Sequence, residues 1–257
     1  MTNNEIKYFS KLKLKKYRDS EKKFLIEGPH LLEECLRARK FDDNIENIFI
    51  SKGSIFDDPV FLNKIRGNKF EILDTKQFTK LSDTEQSQGI AAVVRQREFP
   101  NIFPVELKDK TIIACEGIND PGNMGTIIRT CWWFGLQNII ISKDCADIYN
   151  PKTLRASQGG VFHINIHKVL NIEEYLIASV DNGTKVYLTD LKSEYNLSKE
   201  SISGKTVLVF GNEANGISET LKKNKSFKTI KIDSYSDCES LNVATSVGIF
   251  LWTLNRN

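Results

Sequence analysis

From Thr111 onward, short apolar runs alternate with stretches of helical character, and this alternation constrains the fold more than any other feature of the sequence. "TIIACEG", "QNIIIS", "KVYLTD", "KTVLVFG" and "FKTIKID" are too short for helices and carry little polar alternation, as expected of strands buried on both faces. Between and after them lie the helical patterns "GNMGTIIRTCWWFG", "NIEEYLIASV", a short one after "GIS", and a closing "SLNVATSVGIFLWTLN". The pattern predicts an α/β fold with a parallel sheet covered on both faces. Ligands of such sheets sit beyond the carboxyl ends of the strands, so the turns after "ACEG", "VYLTD", "LVFG" and "IKID" are where chemistry is expected. "VFHINIH" reads as a further extended segment, in which His163 and His167, four apart, are same-face strand neighbours rather than the paired ligands of an HExxH helix.

The first hundred residues read as a separate α/β unit. "FLIEG", "IENIFIS", "KFEIL" and "GIAAVVRQ" are expected strands, and "PHLLEECLRA", "PVFLNKIRG" and "KQFTKLS" expected helices. "REFPNIFPVELKDK", broken by Pro100 and Pro104, reads as a linker, which places domains at 1–104 and 105–257. Net charge is only +3, but Lys7 to Lys23 is strongly basic, so Lys13, Lys15, Lys16 and Arg18, with Arg155 further on, are candidate contacts to a polyanion. The first residues are polar, no apolar stretch is long enough to span a membrane, and the five cysteines form no CxxC pair. A cytoplasmic protein with reduced thiols and no structural metal is expected.

Three loops carry the candidate site. "FGNEANGIS" places Gly211 at a strand end and Gly216 five residues on, where bare backbone allows a positive φ and close approach of a ligand. It lacks the Gly-Lys-Ser/Thr ending of a phosphate loop. In "CESLNVATSVGIFLW", Ser240 reads as the helix N-cap, with Asn242 inside the first turn, a poor position for asparagine. In "NDPGNMGTIIRTCWWFG", a turn leads into a helix that sets Arg129 among Ile127, Ile128 and Trp132. Such surroundings suggest a guanidinium aimed into an electronegative site, most simply one holding phosphate.

Taken in order, "NMGTIIRTCWWFG", "VFGNEANGIS" and "IKIDSYSDCESLNVATSVGI" closely resemble the three motifs of the SpoU (TrmH) family of RNA ribose 2′-O-methyltransferases. The resemblance runs from about Lys110 to the end and includes "NPKTLRASQGG" between the first two motifs. It implies a SPOUT parallel sheet with a C-terminal deep trefoil knot, S-adenosylmethionine as cofactor, and a homodimer. The N-terminal unit, through its size and its "FLIEGPHLLEECL" start, is similar to the L30e-like α/β domain that binds substrate in ribosomal RNA members. Matched by motif, Thr189, Gly211, Ile232 and Leu241 would contact the cofactor and Gly216 would shape its pocket. Asn123, Arg129, Glu213, Ser240 and Asn242 are the matched polar residues. The chain departs from the family at Ile232-Asp233-Ser234, where Ile-Pro-Met or similar is common, and at Cys131, Trp132 and Trp133, where small residues are usual.

The implied reaction transfers a methyl group to a ribose 2′-hydroxyl, in ribosomal (23S) RNA given the extra domain. A guanidinium ordinarily stays protonated. Arg129 is therefore expected to hold the target phosphate and polarise the hydroxyl, with Asn123, Glu213, Ser240 and Asn242 fixing Arg129 and the ribose. The rival readings are a transfer RNA substrate, a non-catalytic assembly factor and a Rossmann dehydrogenase. "EGINDPGNMG" does not supply the glycine fingerprint of the last.

Overall fold

The structure, a computed structural model, describes residues 1–38, 44–83, 87–97, 106–107, 109–198 and 202–256, which divide into two units. The first unit comprises Met1–Glu98 with Asp147–Phe162, and the second comprises Phe99–Ala146 with His163–Asn257. Pro100, Pro104 and the boundary expected near residue 105 lie outside the described residues.

The first unit opens with α1 (Asn3–Ser10), a 3-10 turn (Lys11–Lys13) and α2 (Lys15–Glu21). It continues through β1 (Lys23–Glu27), α3 (Pro29–Arg37), β2 (Ile45–Ser51), α4 (Pro59–Lys64), β3 (Phe70–Leu73), α5 (Thr75–Leu81) and β4 (Ile90–Arg95). Its sheet runs β1-β4-β2-β3, antiparallel except between β2 and β3. Leu25, Phe49, Leu73, Phe78, Leu81, Ala91 and Val93 fill one core around Leu12.

The basic stretch turns out to be partly structural. Arg18, expected at an RNA surface, is 2% exposed: Nε and Nη2 donate to one carboxylate oxygen of Asp147 at 2.9 and 2.6 Å, and Nη1 donates to the Leu12 and Lys13 carbonyls. Lys13 donates to the carbonyls of Lys80 and Ser82 at the end of α5, a position where a cation also opposes the helix dipole. Lys15 pairs with Asp19 one turn on, and Arg155 with Asp83 at 3.2 Å, whereas Lys16 is exposed.

The second unit begins with β5 (Thr111–Cys115), α6 (Pro121–Trp133) and β6 (Asn138–Ser142). The chain then contributes α7 (Pro151–Ser157) and most of α8 (Gly160–His163) to the first unit. It resumes the second with β7 (Asn165–Val169), α9 (Ile172–Asp181), β8 (Lys185–Thr189), β9 (Thr206–Phe210), α10 (Glu219–Lys223), β10 (Lys228–Ile230) and α11 (Val243–Arg256). All neighbours in the order β10-β8-β9-β5-β6-β7 are parallel, as the apolar runs predict. "VFHINIH" is not one extended segment. His163 ends α8 and stacks flat on Trp132, ring centres 4.3 Å apart, while His167 is buried in β7.

Alternate residues of each strand serve opposite cores. Ile112, Ala114, Val207 and Val209 pack with Ile172, Leu176 and Leu221 of α9 and α10. Phe210 points the other way and meets Phe250 of α11 edge to face at 5.5 Å. Gly248 of α11 faces Thr130 of α6, where an added methyl would sit 3.8 Å from its Cγ2, so these two helices pack closely.

Candidate active site

Strand order reverses between β5 and β9, whose last residues Cys115 and Phe210 pair directly. The carboxyl end of this pair is the topological switch point, where an open parallel sheet leaves a crevice. The loops after both strands meet there.

After β9, Gly211 leads into a turn in which Asn212 and Gly216 pair through both backbone groups, at 3.0 and 2.8 Å. A Cβ on Gly211 would lie 2.3 Å from the Gly216 carbonyl carbon and from the Ile217 nitrogen, so no side chain fits. The loop's own return fills the space a side chain would need and keeps the backbone bare at this point. Gly211 needs space, and Gly216, with φ +66°, needs the left-handed conformation.

This turn projects Glu213 over the N-terminus of α6. The Glu213 carboxylate accepts from the backbone N–H groups of Asn119 and Asp120, both at 3.2 Å, and from Asn123 Nδ2 at 3.0 Å. Partial burial pushes its carboxyl up. The Asn123 amide and the backbone N–H groups of Glu213 itself, Asn119 and Asp120 outweigh that and hold it below the ordinary carboxylate range. Asp120 caps α6, accepting from Asn123 N at 2.8 Å.

Asn123 also reaches the third motif: its Oδ1 accepts from Asn242 Nδ2 at 2.8 Å. Asn242 is not inside the first turn of α11, as the sequence suggests, but is its N-cap. Its Oδ1 accepts from the Ala244 and Thr245 nitrogens, and its carbonyl takes the first helical bond from Ser246. The cap preference of asparagine removes the difficulty that a mid-helix position posed. Ser240 lies two residues earlier, exposed, its carbonyl accepting from the Cys238 thiol.

Glu213, Asn123 and Asn242 therefore form one continuous chain, and Arg129 stands apart from it. At 100° and 1.5 Å per residue, Arg129 is about 9 Å along α6 and about 120° around it from Asn123. It is not the enclosed guanidinium expected from its apolar neighbours. Ile127 and Ile128 are buried, while Thr126, Arg129 and Trp133 form an exposed stripe, with Trp133 84% exposed. The helical period, read strictly, separates these faces and could have signalled it.

The expected cofactor residues surround the loops after β8, β9 and β10. Thr189 ends β8, its hydroxyl donating to the Val209 carbonyl at 2.9 Å. Ile232 is half-buried and Leu241 is 48% exposed. Between them, among the described residues, the backbone of 232–241 makes no backbone–backbone hydrogen bond. Short side-chain bonds hold this loop instead: Ser234 Oγ donates to the Ser236 carbonyl at 2.9 Å, and Ser236 Oγ accepts from Cys238 N at 3.3 Å. Sequence reasoning missed Glu116, whose carboxylate accepts from Ser218 N at 2.9 Å, and Asn212, whose Nδ2 donates to the Gly117 carbonyl at 2.7 Å.

Residues 110–252 match the SpoU rRNA Methylase family, and residues 3–92 match the MRM3-like substrate binding domain. The chain is 31% identical over 252 residues to the 23S rRNA (guanosine(2553)-2′-O)-methyltransferase RlmP of Bacillus subtilis, covering 98% of this chain and 96% of that one. The AdoMet-bound rRNA methyltransferase of Sinorhizobium meliloti superposes with a TM-score of 0.84 at 26% identity, over 100% of this chain and 95% of that one. The SpoU methyltransferase AviRb of Streptomyces viridochromogenes, at 18% identity over 99% and 98%, shares the fold with a TM-score of 0.86. The loops that meet at the β5–β9 crevice are those of its three sequence motifs, and the chain belongs to the SpoU rRNA methylase family.

Proposed function

We propose that the protein methylates a ribose 2′-hydroxyl of 23S ribosomal RNA, with S-adenosylmethionine as methyl donor. The convergence of Glu213, Asn123 and Asn242 from three distant segments on one crevice carries this reading. Residues 105–257 form the catalytic domain, and residues 1–104 bind the RNA substrate. The relative from Bacillus subtilis acts on guanosine 2553, which makes the corresponding guanosine the first site to test. The C-terminal loops form the deep trefoil knot of the SPOUT fold.

Bound S-adenosylmethionine supplies an already activated methyl group. Thr189, Gly211, Ile232 and Leu241 hold it, mainly through main-chain groups, and Gly216 shapes the turn that walls the pocket. Asn123 and Asn242 orient the ribose, and Ser240 stands beside them. Glu213, whose carboxyl is held low, is a weak base and acts by fixing Asn123. Arg129 presents its planar fork to the target phosphate and polarises the hydroxyl; the proton leaves through phosphate oxygen, water or a neighbouring polar group. Alignment of this kind lowers a barrier by about 7 to 11 kcal/mol in ideal cases.

The protein works as a homodimer in the cytoplasm. Trp133 of α6 and Trp252 of α11, 84% and 58% exposed on a packed helix pair, supply an apolar face for a second copy. No helix among the described residues is long and apolar enough to cross a membrane. Exposed Lys16, with Lys15 and Arg155 exchanging their carboxylate partners for phosphates, tracks the RNA backbone.

The test supplies purified protein and labelled S-adenosylmethionine to 23S and transfer RNA transcripts, with 2′-O-methyl mapping of RNA from cells with and without the gene. Label in 23S RNA at a ribose that resists alkaline cleavage is expected. Label only in transfer RNA would reassign the substrate, and binding to 23S RNA without cofactor affinity or label would make the protein an assembly factor.

A further inference from the structure

We infer that Asn212 is a positioning residue for methyl transfer: its side-chain amide pins the Glu213-bearing turn to the Gly117 carbonyl and so sets the line from Glu213 through Asn123 to Asn242. This rests on the function proposed above and adds a residue to it.

Asparagine at the start of a turn has a local use. Asn212 Oδ1 fulfils it, accepting from the Ala214 and Asn215 nitrogens at 3.0 and 3.1 Å. Aspartate would serve that local purpose too. The other end of the amide has no local use. Nδ2 leaves its own loop and donates at 2.7 Å to the carbonyl of Gly117, 95 residues away in sequence. Gly117 is itself held, its nitrogen donating to Ser142 Oγ at 2.9 Å. Its neighbour Glu116 donates from its nitrogen to Phe210 O at 2.8 Å and accepts from Ser218 N at 2.9 Å.

The loop is thus anchored near both ends to the turn after β5, and Glu213 follows the residue that makes the tighter of the two side-chain anchors. The amide supplies both the acceptor for the local turn and the donor for the distant carbonyl, whereas an ionised carboxylate of the same length supplies the acceptor alone. Asn212 does not bond to Asn123 or Asn242. Its influence passes through the placement of the Glu213 carboxylate, which links the α6 N-terminus to this turn through three hydrogen bonds. A misplacement of about 1 Å at such a distance from the chemistry can cost on the order of a hundredfold in rate.

Two variants separate the two ends of the amide. Asn212→Ala removes both, while Asn212→Asp keeps the acceptor and loses the donor. Single-turnover methylation is expected to fall at least about tenfold in each, with cofactor and RNA dissociation constants within about twofold of wild type. For Asn212→Asp, activity relative to wild type rises as pH is lowered toward about 5, because only the protonated carboxyl can donate to Gly117. In both variants the side-chain amide resonances of Asn123 and Asn242 shift. Rates within about twofold of wild type, a loss confined to cofactor affinity or melting temperature, or unmoved amide resonances would overturn the inference. Should Asn212→Ala not fold, the pH profile and amide resonances of Asn212→Asp decide. Absence of methyl transfer by the wild type overturns the proposed function instead, and the amide resonances still test the clamp.

Discussion

Asn123 and Asn242, 119 residues apart, meet side chain to side chain at 2.8 Å, and each also fixes something else. Asn123 holds Glu213, and Asn242 caps α11. Loss of Asn242 therefore has two separable effects. Asn242→Ala is expected to destabilise the fold by about 1 kcal/mol through the lost cap and to lower methylation by about a hundredfold. Asn242→Ser restores a capping oxygen but cannot reach Asn123, so urea unfolding recovers while the rate does not.

Glu213 gives the site a pH signature. Its carboxyl is held below the ordinary value of 4.5, so the folded state prefers the ionised form. The resulting stabilisation is fully present above about pH 4.5 and is lost as pH falls through the lower folded value. Melting curves of wild type and Glu213→Gln should differ by a constant amount from neutral pH to about 5 and converge below that. A gap that stays constant down to pH 3 would show that the carboxylate is not held as described.

Gly211 tolerates no side chain. The added methyl of Gly211→Ala would lie 2.3 Å from backbone atoms of Gly216 and Ile217, which cannot rotate aside. The return strand of the loop has to move, at a cost of about 1 to 3 kcal/mol. Calorimetry should find weaker cofactor binding, and chemical denaturation a lower midpoint.

The basic N-terminal stretch divides by burial. Arg18→Ala leaves Asp147 uncompensated in a largely buried position and should cost about 3 to 5 kcal/mol of stability. Lys16→Ala should leave stability unchanged and reduce the slope of log affinity for RNA against log salt by about one. Denaturation and salt-titrated binding of the two variants check both statements.

Thiol reactivity reports on the third motif. Cys35, Cys115, Cys131 and Cys145 are buried, whereas Cys238 is exposed in the loop before α11. Burial pushes the Cys115, Cys131 and Cys145 thiols up, away from the reactive thiolate. One equivalent of an aromatic disulfide reagent should react in the native protein and five after denaturation. Saturating cofactor is expected to slow the first, since Cys238 lies between Ile232 and Leu241.

The elements of the sheet were legible because apolar runs such as "TVLVF" and "NIIIS" have one physical explanation, burial on both faces. The residues of the crevice were legible as motifs, but their geometry was not. Asn242 looked misplaced within a helix because the helix start is set by a cap bond that sequence pattern does not locate to the residue. Arg129 looked enclosed because its sequence neighbours are apolar, although Ile127 and Ile128 turn inward where Arg129 turns out. Arg18 looked like surface because a lysine-rich stretch hides the one cation whose partner, Asp147, comes from 129 residues away. Helices α1 and α2 were obscured by the same charges, which leave only Ile6, Leu12 and Arg18 buried among them.

Residues 147–162 fold with the N-terminal unit although they lie in the middle of the span that matches the methylase family. Exchange by a single splice near residue 105 would therefore take Arg18 and Asp147 from different parents. A chimaera that keeps this buried ion pair intact inherits the excursion from the same parent as the first hundred residues, so the natural cut for grafting is a pair of splices rather than one.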